Sequence, residues 1–216
     1  KLKQFVVVGL GRFGSSVAKN LSENGHNVLA IDKEEERVQN IADLVTHAVE
    51  ADATDEEALK TLGVRNFDVA VVSIGDNIHA NILSTLILKE LGVPYVVVKA
   101  QDNLHGKVLT KVGADRVVYP ERDMGVRIAH NLISSNVLDY IEFAPDYSVV
   151  EIMATENMIG KSLQELEIRS KYNVNVMAIK RGQHLNISPG ANDKILEDDV
   201  LVVMGENKNL DKVKEL

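Results

Sequence analysis

The sequence predicts an α/β protein in which a doubly wound parallel sheet precedes a smaller α+β lobe. Short runs of β-branched residues alternate with segments of helical period from residue 5 to residue 119, which is typical of repeated βα units. A glycine-rich turn joins the first run to the first helical segment. After residue 119 the pattern changes to short strands separated by turns. Together these observations predict a large first lobe and a small second one.

The strands of the first lobe are predicted from apolar runs of strand length. They span 5–8, 28–31, 47–50, 69–74, 95–99 and 116–119. Helix caps support the segments between them, since Thr54 stands three residues before Glu57 and Asn77 precedes an apolar stripe. Glycines follow three of the helical segments, where a left-handed residue commonly ends a helix, at Gly63, Gly92 and Gly113.

The second lobe begins after a further helix, predicted at 123–135, whose apolar side carries Val126, Ala129, Leu132 and Ile133. That helix either covers the sheet or crosses to a neighbouring molecule. Short strands are expected at 149–153, 174–179 and 200–204, with a capping box at Ser162 and Glu165. We therefore divide the chain into a nucleotide-binding lobe (1–120), a crossover helix and linker (121–144) and a ligand-binding or dimerisation lobe (145–216).

Composition excludes several classes of function. The 216 residues are 45% hydrophobic, with 24 Lys+Arg against 32 Asp+Glu, a net charge of −8 and no cysteine. An acidic chain without a basic cluster is a poor match for nucleic acid. Without cysteine there are no disulfides, thiolate nucleophiles or cysteine-bound metals. No apolar run has the length of a membrane span, so we expect a cytoplasmic protein.

A nucleotide-binding fingerprint follows the first predicted strand. The glycines of the G-x-G-x-x-G motif are Gly9, Gly11 and Gly14, and the motif joins a strand to a helix. In this context the first glycine permits the turn, the second lets a phosphate approach the backbone, and the third lets helix pack on strand. Arg12 lies inside the motif, where its guanidinium suits a terminal phosphate. The phosphate is expected at the helix N-terminus.

Carboxylates follow the second and third predicted strands. Asp32 stands 18 residues after Gly14, at the place expected for a group that accepts hydrogen bonds from ribose hydroxyls. No arginine follows it at once, so a 2′-phosphate would meet an unpaired carboxylate and NADP is disfavoured. Asp52 either accepts from an adenine amino group or belongs to a turn with Thr54. Ser73, Ile74 and Gly75 end the fourth strand with small residues that leave room for a ligand or form a turn.

The main alternative is an NAD-dependent oxidoreductase or an NAD(H) redox sensor. Tyr95 and Lys99 match the Y-x-x-x-K pair of short-chain dehydrogenases, but that pair acts on a helix and this segment is predicted as a strand, where residues four apart are separated by about 13 Å. The histidines show neither metal-ligand spacing nor a catalytic triad. The second lobe is small for a substrate domain. A non-enzymatic nucleotide-binding protein is the simpler interpretation.

The chain resembles the cytosolic gating subunits of bacterial Ktr potassium transporters, which carry the domain that regulates potassium conductance, known as the RCK domain. The resemblance covers essentially the whole chain. Its motifs are Gly-Leu-Gly-Arg-Phe-Gly (9–14) with Asp32, Thr-His-Ala-Val (46–49), Gly-Val-Arg-Asn-Phe (63–67), Lys-Ala-Gln (99–101) and the segment from Gly-Ala-Asp-Arg to Pro-Glu-Arg-Asp-Met-Gly (113–125). The later motifs are more specific than the glycine fingerprint.

This resemblance implies a non-enzymatic regulator that forms an octameric ring beneath a membrane-embedded potassium-translocating subunit. ATP and ADP would hold the ring in different shapes, with ATP favouring transport, and NAD or NADH fits the same fingerprint. Glu121 would lie near the phosphates at a dimer interface and help bind a divalent or monovalent cation, although this chain has Tyr119 where relatives often have histidine. The implied nucleotide-binding residues are Gly9, Gly11, Arg12, Phe13, Gly14, Asp32, Lys33, Asp52, Ala53, Ser73, Ile74, Gly75, Lys99 and Glu121.

The second lobe is similar to a module that in some family members binds cyclic di-AMP across a lobe dimer and inhibits transport. The resemblance assigns Arg169 to phosphate, Asn175 and His184 to polar contacts, and Ile168 and Pro189 to positions flanking the bases. As the alternative, Arg169 and His184 are ordinary surface residues.

Overall fold

The computed structural model describes residues 2–133, 137–214 and 216, apart from the side chain of His130. The chain divides into two compact units, Lys1–Pro120 and Glu121–Leu216, each of which has its own sheet. Within the described parts of the chain, no helix is long and apolar enough to cross a membrane.

The first unit contains the predicted parallel sheet. Its strands are β1 (Gln4–Val8), β2 (Asn27–Asp32), β3 (His47–Glu50), β4 (Val69–Val72), β5 (Tyr95–Lys99) and β6 (Arg116–Val118). All neighbours are parallel, in the order β3-β2-β1-β4-β5-β6. The predicted fold class is confirmed. Strand β4 ends two residues before the predicted position because the carbonyl of Ile74 bonds to a side chain, that of Asn81, instead of to a neighbouring strand.

Five helices cover the two faces of this sheet: α1 (Arg12–Glu23), α2 (Glu35–Ile41), α3 (Glu56–Thr61), α4 (Ile78–Glu90) and α5 (Asn103–Lys111). Alternate residues of β1 point to opposite faces. Val6 belongs to a buried cluster with Leu59 and Leu88, and Val7 belongs to another with Ala18 and Val38. Two-sided burial explains why the strands are continuously apolar, and ligands of such sheets bind outside the carboxyl ends of the strands.

Most of the predicted helix boundaries in this unit are confirmed. Gly63, Gly92 and Gly113 have φ of 68°, 86° and 104°, as left-handed helix-ending residues do. Asn77 caps α4 by accepting a hydrogen bond from the amide of Ala80 at 3.0 Å. The predicted cap at Thr54 is wrong. Asp55 caps α3 instead, because the Thr54 hydroxyl donates to the preceding carboxylate, that of Asp52.

The second unit has an antiparallel sheet. It contains α6 (Pro120–Ile133), β7 (Val137–Ala144), β8 (Tyr147–Met153), α7 (Leu163–Leu166), α8 (Ile168–Tyr172), β9 (Asn175–Arg181), β10 (His184–Asn186), β11 (Val200–Glu206) and α9 (Asn207–Lys214). The strand order is β10-β9-β11-β8-β7. The capping box is confirmed, since Ser162 and Glu165 bond to each other's backbone amides at 2.7 and 3.2 Å.

Sequence patterning missed two strands of this sheet. Strand β7 lies in the interval 121–144 that we interpreted as crossover helix and linker, and it pairs with β8. The turn between them contains Asp146 at φ 64°, a left-handed position that the sequence showed only as a break in pattern. Strand β10 has three residues and pairs with β9 alone. The predicted helix at 123–135 is observed as α6, and its last two predicted residues fall outside the described residues.

The two faces of the second sheet differ. One face buries Ile152, Leu201 and Val203 together with Leu210 of α9. Strands β7, β9 and β10 also carry exposed apolar side chains, among them Ile141, Phe143, Met177 and Leu185. On α6, five apolar side chains are exposed as well: Met124, Val126, Ile128, Leu132 and Ile133. Much apolar surface of this unit is therefore uncovered in a single chain.

Candidate nucleotide-binding site

The glycine-rich turn has the shape that a phosphate-binding turn requires. Gly9 has a φ of 88°, and a Cβ there would lie 2.8 Å from the carbonyl carbon of Ser73. A Cβ on Gly14 would lie only 1.9 Å from the Gly9 oxygen. Gly11 differs, because among the described residues no atom beyond its two chain neighbours lies within 4 Å of the position its Cβ would take. The turn is closely packed at Gly9 and Gly14 and open at Gly11, which leaves room for a phosphate to approach the backbone.

Helix α1 begins directly at this open position. Gly11 is its N-cap and Arg12 its first residue. The first amides of a helix lack intrahelical partners, and its N-terminus carries partial positive charge. Arg12 is exposed, Phe13 is half-buried, and within the described residues Arg12 has no ion pair. This end of α1 can therefore hold an anion through backbone amides and one guanidinium.

Asp32 is more enclosed than its predicted role suggests. Only 5% of the residue is exposed. Its carboxylate accepts hydrogen bonds from the amide of Leu10 at 2.6 Å and from the amide of Glu34 at 3.0 Å. The first bond ties the end of β2 to the glycine turn. Asp32 thus shapes the turn, and a ribose can reach only a small part of the carboxylate.

Sequence reasoning missed Arg37, a residue of α2 that pairs with Asp32. Its Nη1 lies 3.6 Å from Asp32 Oδ2, and its Nε lies 3.1 Å from Glu34 Oε2. The expectation of an unpaired carboxylate, on which we disfavoured NADP, is therefore wrong. In the sequence, Arg37 stands one helical turn after Glu34. Its contact with Asp32 at the end of β2 could not be predicted, because it depends on where α2 begins.

Asp52 and Lys33 lie at the same edge of the sheet. Asp52 Oδ1 accepts from the Thr54 amide at 2.8 Å and the Thr54 hydroxyl at 2.7 Å. The Thr54 hydroxyl, the Thr54 amide and the nearby charge of Lys33 hold the pKa of Asp52 below its ordinary value. The turn interpretation is thus observed, while the role in adenine binding stays a prediction. Ala53 is buried in the core and can offer a ligand only its backbone.

The loop after β4 lies against the glycine turn. The Ser73 hydroxyl donates to the Gly9 oxygen at 3.1 Å, and Ile74 packs on the core. A Cβ on Gly75 would lie 3.7 Å from Lys99 Nζ, so the fourth and fifth strands bring these predicted residues together. Two side-chain amides that were not predicted, Asn81 and Gln101, bond to the carbonyls of Ile74 and Gly75. Neither residue stands out in the sequence as part of a site, because Asn81 lies inside a helix and Gln101 lies in a loop.

Glu121 belongs to the second unit, in the first turn of α6, and is exposed. Among the described residues, no three His, Asp or Glu side chains are grouped as metal ligands. The role of Glu121 in cation binding stays a prediction.

The residues assigned to cyclic di-AMP lie on several elements of the second unit. Arg169 is on α8, Asn175 begins β9 and His184 begins β10, all of them exposed, and Pro189 is half-buried. Ile168 differs because it is 2% exposed and belongs to the core. Its expected place beside a base is not supported, since its side chain has almost no surface left for a ligand.

The pair that resembles a dehydrogenase motif is not arranged for catalysis. Tyr95 and Lys99 are the first and last residues of β5, so they stand at opposite ends of a strand. His105 is buried, and burial lowers its pKa while Asp102 opposes that effect. Its Nδ1 accepts a hydrogen bond from the backbone amide of Gln101 at 3.2 Å, which is a structural contact.

Comparison with known proteins gives the family. The TrkA-N domain model matches residues 5–120 and the TrkA-C domain model matches residues 148–216. The chain is 51% identical to Ktr system potassium uptake protein C of Bacillus subtilis, over 99% of this chain and 96% of that protein. It is 50% identical to Ktr system potassium uptake protein A of the same organism, over 97% and 95%. Both relatives are named as potassium uptake proteins and neither as an enzyme, in agreement with the predicted non-enzymatic function.

A solved structure agrees on the fold. The crystal structure of the GsuK RCK domain aligns with a TM-score of 0.71 at 17% identity, covering 100% of this chain and 48% of that one. At this identity the likeness shows the fold alone. The family is established by the sequence matches, which show that this chain belongs to the TrkA-N/TrkA-C family of Ktr-type potassium uptake proteins.

Proposed function

We propose that this protein is the nucleotide-gated regulatory subunit of a potassium uptake system and that its first lobe binds ATP and ADP. The observation that carries the proposal is the glycine turn, which is closely packed at Gly9 and Gly14 yet open above Gly11. Such a turn at a helix N-terminus favours phosphate. Family membership supports the link to potassium uptake.

ATP has a γ-phosphate that ADP lacks, and Arg12 is the residue proposed to contact the terminal phosphate. A ligand shifts a conformational equilibrium only through a difference in its interactions with the two states. Arg12 is exposed at the start of α1, so it can pair with a terminal phosphate, and the γ-phosphate of ATP extends further than the phosphates of ADP. We infer that this contact favours the transport-competent shape when ATP is bound.

The regulator acts, in this proposal, as a ring of eight subunits on the cytoplasmic side of a membrane-embedded potassium-translocating subunit. The exposed apolar side chains of α6, including Leu132 and Ile133, are consistent with burial against other copies. Glu121, which is exposed in the first turn of α6, would contribute to a cation site shared between subunits.

Calorimetric titration with ATP, ADP and NADH tests the first lobe. We expect ATP and ADP to bind tightly and NADH more weakly. Gly11→Val should abolish binding of both adenine nucleotides because its side chain fills the space that the phosphate requires. The matched control is Ser16→Val, which adds valine at an exposed position of α1 and should bind normally. Unchanged binding by Gly11→Val would refute the assigned site.

An NAD(H) sensor is the second candidate. The buried carboxylate of Asp32 at the end of β2 is a feature of dinucleotide-binding folds as well. If NADH binds far more tightly than ATP and ADP in the same titrations, the regulator responds to redox state and the ATP/ADP proposal fails.

The second lobe, we propose, binds cyclic di-AMP, and this binding inhibits transport. Arg169 is exposed and has no ion pair within the described residues, so it is available to a phosphate. Arg169→Ala should abolish cyclic di-AMP binding and leave ATP affinity unchanged. Lys171→Ala, on the same helix, is the control, because Lys171 pairs with Glu167. If Arg169→Ala binds cyclic di-AMP as tightly as the unmodified protein, Arg169 is an ordinary surface residue.

A further inference from the structure

The loop between β4 and α4 is held by two side-chain amides. Asn81 Nδ2 donates to the Ile74 carbonyl at 2.9 Å and to the Lys99 carbonyl at 3.2 Å. Gln101 Nε2 donates to the next carbonyl of the loop, that of Gly75. Two successive peptide units of one loop therefore have their oxygens fixed by side chains instead of by a strand or a helix.

The orientation of the Asn81 amide is determined by its partners. Reversing the group would place its oxygen against two carbonyl oxygens, which cannot donate a hydrogen bond. Asn81 is completely buried, and its Oδ1 has no partner within the described residues. A buried acceptor without a partner is costly, so the fold keeps Asn81 at a cost that an apolar residue would avoid.

Fixing these two carbonyls also fixes two donors. In a trans peptide the C=O and N–H point in opposite directions, and the described residues contain no cis peptide. The amide of Gly75 shares its peptide plane with the Ile74 carbonyl, and the amide of Asp76 shares its plane with the Gly75 carbonyl. Neither amide has an acceptor within the described residues, so both N–H groups are available on the side opposite to Asn81 and Gln101.

The glycine turn lies on the side of β4 that is opposite to β5. Strand β4 lies between β1 and β5, and the Asn81 contact to Lys99 marks the β5 side of the loop. On the other side, the amide nitrogen of Ile74 lies 2.9 Å from where a Cβ on Gly9 would stand. The amides of Gly75 and Asp76 therefore belong to the loop that packs against the glycine turn, where the proposed function locates the phosphates.

We propose that Asn81 and Gln101 are positioning residues of the nucleotide site. They hold the carbonyls of Ile74 and Gly75 on the β5 side so that the amides of Gly75 and Asp76 donate to a phosphate oxygen of the bound nucleotide. This inference rests on the proposed nucleotide-binding function, and it assigns the two amides that sequence reasoning missed.

Gln101→Ala is the decisive variant, because Gln101 is exposed and its loss should not unfold the protein. We expect ATP and ADP affinity to fall about fivefold, as for the loss of one well-placed hydrogen bond. Adenosine affinity, measured by competition, should not change, because adenosine has no phosphate. Asn81→Leu should weaken ATP more strongly. Gln39→Ala removes an exposed amide of α2 that bonds to Glu35 and should have no effect.

A merely structural role would lower the affinities for ATP and adenosine alike, and that result would overturn the inference. Unchanged ATP affinity in Gln101→Ala would overturn it too, while leaving the proposed function intact. If the unmodified protein binds no adenine nucleotide, the proposed function itself fails. Asn81→Leu is interpreted only if its thermal melting is retained, and Gln101→Ala decides the question in either case.

Discussion

The two sheets of this protein differ in how their faces are covered. The parallel sheet is covered on both faces by helices of its own unit, and its candidate residues meet at one open edge. The antiparallel sheet has one buried face, and its candidate ligand residues are spread over two strands, a helix and a loop. Large exposed apolar surfaces usually mark association. The difference indicates that the first sheet is covered within one chain, whereas the second leaves apolar surface for association with another molecule.

The largest expected effect tests the close packing of the first site. Gly14→Ala should lower the free energy of unfolding of the first unit by about 3 kcal/mol, since overpacking of this kind is costly and the new Cβ would lie 1.9 Å from the Gly9 oxygen. Hydrogen exchange should show lost protection in β1 and β4 and normal protection in β8 and β11. Gly11→Ala, which adds the same methyl group three residues earlier in the chain, should retain normal protection. Equal protection in both variants would contradict the packing argument.

The second unit is stabilised by an ion pair in which only the carboxylate is buried. Asp199 is fully buried and accepts hydrogen bonds at 2.7 Å from both Nε and Nη2 of Arg181. Arg181→Ala leaves this charge without its partner, which is strongly destabilising in buried pairs. Because Arg181 is about half exposed, we expect a smaller loss, about 2 kcal/mol, in the second unit alone. Urea unfolding followed by hydrogen exchange measures it, with Lys180→Ala as the control.

This effect should depend on pH in a defined direction. The hydrogen bonds from Arg181 lower the pKa of Asp199. A carboxylate whose pKa is lower in the folded state contributes stability above its unfolded pKa, and the contribution is lost as pH falls through the folded value. The difference between Arg181→Ala and the unmodified protein should therefore be largest near neutrality and shrink in acid. A difference that grows in acid would contradict the assignment.

A smaller effect is expected at Arg12, the residue proposed to distinguish ATP from ADP. Arg12→Ala should weaken ATP about tenfold, as for the loss of a charge-assisted contact, and weaken ADP less, because the contact is proposed for the terminal phosphate. Calorimetry with both nucleotides measures the ratio. Lys19→Ala, at an exposed position of the same helix, is the control. Equal losses for ATP and ADP would contradict the proposed role of Arg12 in gating.

The same contrast explains what could be predicted from the sequence. In the parallel unit, local sequence patterns predict the structure. Continuous apolar runs form the strands, and positions 9 and 14 require glycine because a Cβ there would overlap neighbouring backbone atoms. The contacts that escaped prediction there, of Arg37, Asn81 and Gln101, join residues that are distant along the chain or depend on where a helix begins. In the second unit, β10 is too short for a period to show, and the burial of Ile168 depends on packing that its neighbours in sequence do not reveal.

The smallest effect concerns Asp52, at the edge of the first sheet. The Thr54 hydroxyl contributes most to the lowered pKa of this carboxylate, so Thr54→Val should raise the pKa toward its ordinary value, as measured by an NMR titration. The lowered pKa makes this interaction stabilising above the unfolded pKa and ineffective in acid, and we expect a loss of about 0.5 kcal/mol at neutral pH. Thr54→Ser keeps the hydroxyl and serves as the control.

Asp52→Ala then separates the two roles left open for this carboxylate. If Asp52 only forms the turn with Thr54, its removal should lower ATP affinity no more than Thr54→Val does, because both variants loosen the same loop. If Asp52 also accepts from the adenine amino group, Asp52→Ala should weaken ATP several-fold further and should affect inosine triphosphate, which lacks that amino group, much less. The edge of the first sheet would then contribute base recognition in addition to phosphate binding.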